Sequence, residues 1–348
     1  MKNTSKIFIA ILAAALYGIS APASKVLLKY LNPLFLASLL YIGAGFGMWV
    51  YHRLSKIKTK KKVEASLSKS EMPYIIAMIV LDIFAPILLL LGLTNTTAGT
   101  ASLLNNFEIV ATSLIALVFF KEAIDKRQWI AMVLIIVASI ILAVNVGTVI
   151  SFSFSAIYII LACVCWGIEN NCTRKLSLKD PVQIVIIKGF GSGIGALVVC
   201  AVWGEFSTNI LYIVSALVLG FVSYGLSILC YVFAQRSLGA VRTSIYYSIA
   251  PFIGVILSWL ILSESISIKF LIALSVMMLA TYFMVTESHS HKHIHQSITH
   301  NHKHCHDDEH HDHTHDENVE ENHAHEHTHE VVEHSHSHYP DEHHRHEH

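Results

Sequence analysis

"YGISAPASKVL" (Tyr17–Leu27) returns 149 positions later as "WGIENNCTRKL" (Trp166–Leu176), and that recurrence decides the fold. "NP" (Asn32, Pro33) lines up with "DP" (Asp180, Pro181) at an offset of 148. At the same offset Gly43, Gly45 and Gly47 fall on Gly191, Gly193 and Gly195. Further on, "LVFFKEAIDKRQWI" matches "LILSESISIKFLI", which sets Glu122 on Glu264 at an offset of 142. Self-similarity sustained over so long a period marks an internal duplication.

Each copy holds five apolar windows, and a helix needs about 20 apolar residues to cross a bilayer. The windows lie near 7–28, 33–53, 73–93, 98–120 and 128–146, then near 154–174, 182–203, 209–232, 243–262 and 268–285. The sequence therefore predicts an all-α membrane protein of ten transmembrane helices. Residues 5–147 form one five-helix repeat, 152–285 a second, and 286–348 a disordered tail. An odd number of spans turns the second copy over, so the repeats are inverted. The first window, with Lys2, Lys6 and "APAS", imitates a signal peptide, but its return as an internal span argues against cleavage.

Charge supports the inversion and orients it. With the N-terminus cytoplasmic, the inner loops collect Arg53, Lys56, Lys58, Lys60–Lys62, Lys121, Lys126, Arg127, Arg174, Lys175, Lys179, Arg236 and Arg242. The outer loops hold only Lys25, Lys29 and Lys269. Cytoplasmic loops carry the excess of Lys and Arg, so both termini are expected in the cytoplasm and the protein in the plasma membrane. The bilayer is the expected partner, with a small-molecule or ion substrate and a homodimer as a further possibility; no nucleic-acid partner is expected. Five of the six cysteines sit in apolar windows, at no spacing that suggests a disulfide framework.

The duplicated five-helix unit resembles the EamA-type branch of the drug/metabolite transporter superfamily. It shares that family's aromatic-Gly near the start, the lysine after span one, the "…F-x-E" or "…L-x-E" ending, and the run "TTAGTASLLNNFEIVATSLIALVFFKE". The resemblance covers residues 5–285. It implies secondary transport of small metabolites, often outward, with no required cofactor. The Glu-Pro pair usual in the family's fourth and ninth helices is split here: Glu108 precedes Ile109, and Ala250 precedes Pro251.

An ionisable group inside a bilayer costs roughly 2.5 kcal/mol or more on insertion scales, so each one needs a partner or a water-filled cavity. Asp82, Glu108, Glu169 and Lys188 are the four to explain. Asp82 stands four residues before Pro86, whose missing donor frees the Asp82 carbonyl. Asn105, Glu108 and Thr112 share one helical face, suited to lining a cavity. Cys165, Glu169 and Cys172 share another, which reads either as a soft-metal path or as ordinary helix packing, and Glu169 with Asn170 as substrate contacts. Lys188 either snorkels, pairs with Asp82 or Glu169, or holds an anion. Tyr246 and Tyr247 sit one turn before Pro251, placed to line a midplane site. The glycine triplets are read as helix-packing positions. No membrane histidine, phosphate loop or HExxH motif is expected, so the protein is read as no enzyme.

The tail is a separate object. Residues 1–285 carry 21 Lys+Arg against 10 Asp+Glu, a formal +11, whereas 286–348 carry 3 against 15, a formal −12. It also holds 23 of the 24 histidines, most of them alternating. In an extended chain residues i and i+2 project to one side, so each HxH presents two imidazoles to one ion. The candidate ligands begin with His289, His291, His293 and His295, followed by His300, His302, His304 and His306. They continue through His311, His313 and His315, then His323, His325, His327 and His329. His334, His336 and His338 come next, and His344, His346 and His348 close the chain. Zn, Ni, Co or Cu suits imidazole. Three roles compete: a collector for a transported metal, a regulator of metabolite transport, or a buffer without transport. Electrostatic attraction to "SKIKTKKK" (Ser55–Lys62) would hold the tail over the inner mouth, and metal would release it.

Overall fold

The computed structural model describes residues 3–58, 69–120, 124–146, 150–176, 179–238, 243, 246–285, 290–295, 298–304, 323–329 and 332–337. Its body is helical. Span one comprises α1 (Asn3–Gly18) and α2 (Ser20–Leu27), and α3 (Pro33–Lys58) and α4 (Met72–Thr94) follow. Span four is split into α5 (Ala98–Leu104) and α6 (Phe107–Phe120), and α7 (Lys126–Ala143) completes the first half. The second half runs α8 (Phe154–Leu176) and α9 (Pro181–Trp203). After them α10 (Ile210–Gly220) continues through a π turn at Phe221–Leu226 into α11 (Ser227–Leu238). Two last helices, α12 (Ala250–Leu262) and α13 (Ile268–Val285), complete the bundle. Among the described residues eight helical segments are long and apolar enough to cross a membrane; two shorter apolar helices, Ala250–Leu262 and Ile268–Met284, stand where the ninth and tenth spans are expected.

The repeat motifs prove to be helix starts. Asn32 Oδ1 accepts from the Leu34 N–H at 2.9 Å, with Pro33 opening α3. Asp180 Oδ1 accepts from Val182 N at 2.9 Å, with Pro181 opening α9. A short polar cap followed by a proline that has no N–H to satisfy is a favoured way to begin a helix.

Packing obeys the duplication. Helix α1 (span one) lies on α11 (span eight), and α8 (span six) lies on α4 (span three). Likewise α6 lies on α8, and α12 on α1, while α3 meets α9 and α7 meets α13. Exchanging each span for the one five places along reproduces this pattern, as two interlocked copies of one unit should. The glycine triplets sit at these seams. A Cβ on Gly45 would stand 2.8 Å from Phe190 N, and one on Gly189 2.4 Å from Gly45 N, so backbones touch where α3 crosses α9. Around the outside, large apolar side chains such as Phe84, Phe119, Val133, Val198 and Ile256 are exposed, the surface expected against lipid.

The structure corrects the sequence reading in four places. Helix α7 stops at Ala143 rather than 146; Val144–Val146 instead pairs antiparallel with Ile150–Phe152, an alternating β-branched and aromatic run that favours strand. Spans four and nine are not continuous: turns at Asn105–Asn106 and Ser248–Ile249 interrupt them. Pro251 therefore lies in the first turn of α12, where no donor is missed, instead of breaking a longer helix. One histidine does lie within a span, since His52 falls near the end of Pro33–Ser55.

In the tail four stretches form strands where the sequence analysis expects no order. Ser290–His295 pairs antiparallel with Val332–Ser337, and Ile298–His304 with His323–His329. The low apolar content argues against collapse, but strict alternation is also the period of a β-strand. The register sets His291 opposite His336, His293 opposite His334, and His300, His302 and His304 opposite His327, His325 and His323. His289, His306, His311, His313, His315, His338, His344, His346 and His348 lie outside the described residues.

Candidate functional site

All four ionisable residues singled out in the spans come together at mid-bundle. Lys188 Nζ lies 2.9 Å from Asp82 Oδ2 and 3.0 Å from Glu169 Oε1. Asp82 is wholly buried, Glu169 is 2% exposed and Lys188 7%. Pairing with both carboxylates selects one of the three readings given for Lys188. Tyr41 donates its hydroxyl to Asp82 Oδ1 at 3.0 Å, and Thr173 donates to Glu169 Oε1 from the next turn of α8. Lys188 thus ties α4, α8 and α9 to one point. Pro86 sits inside α4 without ending it, and the Asp82 side chain finds its partners on α3 and α9.

Glu108 forms a second polar group beside the first. Asn170 Nδ2 donates to Glu108 Oε1 at 2.7 Å and reaches Thr112 Oγ1 at 3.3 Å. Asn105 lies in the turn between α5 and α6 rather than on one continuous helical face with Glu108 and Thr112, which follow on α6; all three meet α8, and Asn105 also borders a cavity. Glu108 lies within electrostatic reach of Glu169 and Lys188. Unlike Asp82 it keeps some accessible surface. The break before α6 puts Glu108 in that helix's first turn, where the helix dipole favours a negative charge.

A chain of tyrosines runs from the group, beginning at Tyr41. Tyr41 contacts Tyr224 at 5.4 Å between ring centroids, Tyr224 contacts Tyr17 at 5.9 Å, Tyr17 contacts Tyr247 at 5.6 Å, and Tyr247 contacts Tyr231 at 5.0 Å. Ser20 donates to the Tyr224 hydroxyl at 2.9 Å. Tyr246, named from the sequence beside Tyr247, is partly buried but outside this chain of rings. Sequence reasoning missed Tyr17, Tyr41 and Tyr224; Tyr17 was visible as the aromatic that opens the repeat motif. Between Tyr17, Ser20, Ser102, Asn105 and Pro251 lies a cavity of about 20 Å³, room for one water molecule.

The soft-ligand face is not assembled as one site. Glu169 is committed to Lys188 and Thr173, while Cys165 and Cys172 are each only partly buried. Among the described residues no three His, Cys, Asp or Glu side chains group to hold a metal ion.

A second feature closes one end of the bundle. Glu264, after α12, accepts from the Ala98 and Gly99 N–H groups at 2.7 and 3.0 Å and from Ser258 at 2.8 Å. It thereby caps α5 of the opposite half. Lys25 donates to Leu93 O at 2.7 Å and Thr94 O at 3.0 Å, satisfying carbonyls at the end of α4.

Interlocked five-helix halves around a polar midplane group, with helices broken beside it, define a multi-pass membrane protein of the transporter class. The chain belongs to the EamA-like transporter family, whose model matches residues 4–144 and 153–286. It is similar to an uncharacterized transporter from Methanothermobacter thermautotrophicus, 26% identical over 278 residues that cover 75% of this chain and 80% of the relative. A solved crystal structure shares its fold with a TM-score of 0.59 at 12% identity, covering 80% of this chain and 95% of the other.

Proposed function

We propose that this protein is a secondary transporter that carries a small metabolite across the plasma membrane, with both termini in the cytoplasm, and that its tail binds divalent transition metal and regulates transport. The observation that carries the reading is the Lys188–Asp82–Glu169 network with Glu108–Asn170 beside it, buried at mid-span where two helices are broken. Burying these groups is costly, and a bundle held only by packing has no need of them. The cavity next to them is too small for cargo in this conformation, so transport requires the bundle to open around it. Glu264 capping α5 is one contact that opening must release.

A cargo of metal has less support, because the described helices group no metal ligands and the histidines lie almost wholly in the tail. For the tail, the support is its composition and a register that repeatedly sets histidine opposite histidine. Spacings of cross-strand neighbours near 5 Å are within reach of a shared ion.

The test compares cells expressing the full chain, the chain ended after Val285, and a Glu108→Ala/Glu169→Ala double variant. Metabolites released to the medium and cellular Ni, Co, Zn and Cu are measured for each. A transporter of metabolites changes the medium with the full chain and loses that change in the double variant. If one metal's level follows Glu108 and Glu169 instead, that metal is the cargo. If metal follows the tail alone and no metabolite moves, the protein is a tethered buffer.

A further inference from the structure

The tail sorts its ligands by position more strictly than its composition requires. Of its 15 Asp and Glu, only Glu326 and Glu333 stand in the described strands, whereas residues 305–322 between the second and third strands hold eight. Within each sheet the histidines keep to one face. Residues directly opposite each other share a face, and the face alternates at every step along a strand. In the sheet of Ser290–His295 and Val332–Ser337, one face takes His291, His293, His295, His334 and His336, and Glu333 falls on the other. In the sheet of Ile298–His304 and His323–His329, one face takes the pairs His300–His327, His302–His325 and His304–His323, with His329 opposite Ile298. Glu326 again falls on the other face, opposite Asn301.

Two successive histidine pairs place four imidazole-bearing positions at the corners of a rectangle, about 5 Å across the strands and about 7 Å along them. Four neutral nitrogen donors with no carboxylate on their face suit Zn, Ni, Co or Cu; Mg and Ca take oxygen. The strands also need a source of stability. A two-stranded ribbon is marginal at best in water, and the apolar residues in these strands are only Ile294, Ile298, Ala324 and Val332. Among the described residues no ligand group is closed, so the backbone register supplies the placement and an ion supplies the closure. Resting on the reading that the tail binds transition metal, we propose that each sheet takes one ion and that the ions clamp the register. The first site is His291, His293, His334 and His336. The second is built on His302 and His325 with the histidine pair on one side of them. Neutral imidazoles leave each ion its double positive charge, so the two ions offset four of the tail's formal twelve negative charges.

Exchanging neighbouring residues tests the register without changing composition or charge. The full-length protein, purified in detergent, is stripped with EDTA, freed of it and titrated with Co(II). Bound cobalt is counted by equilibrium dialysis, and its visible absorption reports coordination. The unaltered chain should hold two ions more tightly than any others, and excess Mg(II) should displace neither. His325→Glu with Glu326→His moves one histidine to the opposite face and leaves the His300–His327 and His304–His323 pairs about 14 Å apart along the strands. That exchange should remove one tight ion. His334→Ser with Ser335→His should remove the other, and the two exchanges together should remove both. Arg345→His with His346→Arg, an exchange outside the described strands, should remove neither. Tight binding that ignores the strand exchanges, or falls as far in the control exchange, overturns the clamped ribbon and leaves the tail a metal sponge. No bound cobalt in the unaltered chain overturns the metal-binding reading itself, and the ribbon with it.

Discussion

The duplication gives every position of the midplane a counterpart, and the two members of each pair differ in one direction. By the offsets read from the repeat, Lys188 corresponds to Leu40, Glu169 to Ser20 and Glu108 to Ala250. Packing supplies the remaining pair. Gly43 faces Leu217 as Gly191 faces Ile79, and Gly47 faces Phe221 as Gly195 faces Ile83, both at an offset of 138 that sets Asp82 on Gly220. So spans three, six and seven meet around an ionic network, while spans eight, one and two meet around Leu40, Gly220 and Ser20. The neutral seam is closed to contact: a Cβ on Gly220 would stand 2.0 Å from Leu40 O. The charged seam keeps room for three ionisable side chains, Asp82, Glu169 and Lys188. One seam has the character of a fixed joint, the other of a joint whose contacts can be exchanged.

The largest expected effect comes from unbalancing the charged seam. Lys188→Met leaves two carboxylates facing each other in a buried space, and losing one partner of a buried ion pair costs about 3–5 kcal/mol. Thermal unfolding in detergent should show a large fall in midpoint. Adding Asp82→Asn and Glu169→Gln makes that seam neutral like its counterpart and should restore most of the stability. Transport should stay lost. If Lys188→Met alone were silent in both assays, the seams would not differ as argued.

A smaller effect should separate two glycines that the duplication makes equivalent. Gly43→Ala drives a methyl against the Leu217 carbonyl, 2.1 Å away, where only backbone movement gives relief. At Gly191 the nearest atom is Ile79 Cδ1 at 2.7 Å, the end of a side chain that can turn aside. Overpacking typically costs about 1–3 kcal/mol, so Gly43→Ala should lie at the upper end and Gly191→Ala below it. Reversed magnitudes would show the charged seam to be the tighter one.

How much of this was legible depended on whether the signal was local. The repeat, the spans and the helix starts at Asn32 and Asp180 follow from apolar windows and cap chemistry, which the sequence displays directly. The partnership of Lys188 is one of three alternatives that the sequence leaves open, and only the folded chain sets its ammonium between Asp82 and Glu169. The breaks at Asn105–Asn106 and Ser248–Ile249 were not, because neither pair contains a glycine or proline and the interruption answers to tertiary packing. Tyr41 and Tyr224 were passed over because a tyrosine in an apolar window looks like any other packing residue. The asymmetry of the seams needed both readings: the offsets came from sequence, and the correspondence of Asp82 with Gly220 came from contacts.

Glu264 joins the halves outside both seams. Glu264→Ala removes the acceptor for Ala98 and Gly99, and loss of such a cap costs about 0.5–2 kcal/mol. Hydrogen exchange should quicken at those two amides more than elsewhere in α5. The isosteric Glu264→Gln keeps an acceptor oxygen and should cost less.

The smallest expected effect tests whether the charged seam is also a path for soft metal. Cys165 and Cys172 lie on the face of α8 that carries Glu169, and a metal path would use all three. In the structure Glu169 is held by Lys188 and Thr173, so a metal ion would have to displace an ammonium before a thiolate could help to bind it. Both cysteines are partly buried, and serine differs little from cysteine in size. Cys165→Ser and Cys172→Ser should therefore change the unfolding midpoint by no more than about 0.5 kcal/mol equivalent. They should also leave cellular Ni, Co, Zn and Cu where the unaltered chain leaves them. A loss of metal handling in either variant, with stability intact, would make the charged seam a conduit for metal and return the cargo question to the ions that the tail binds.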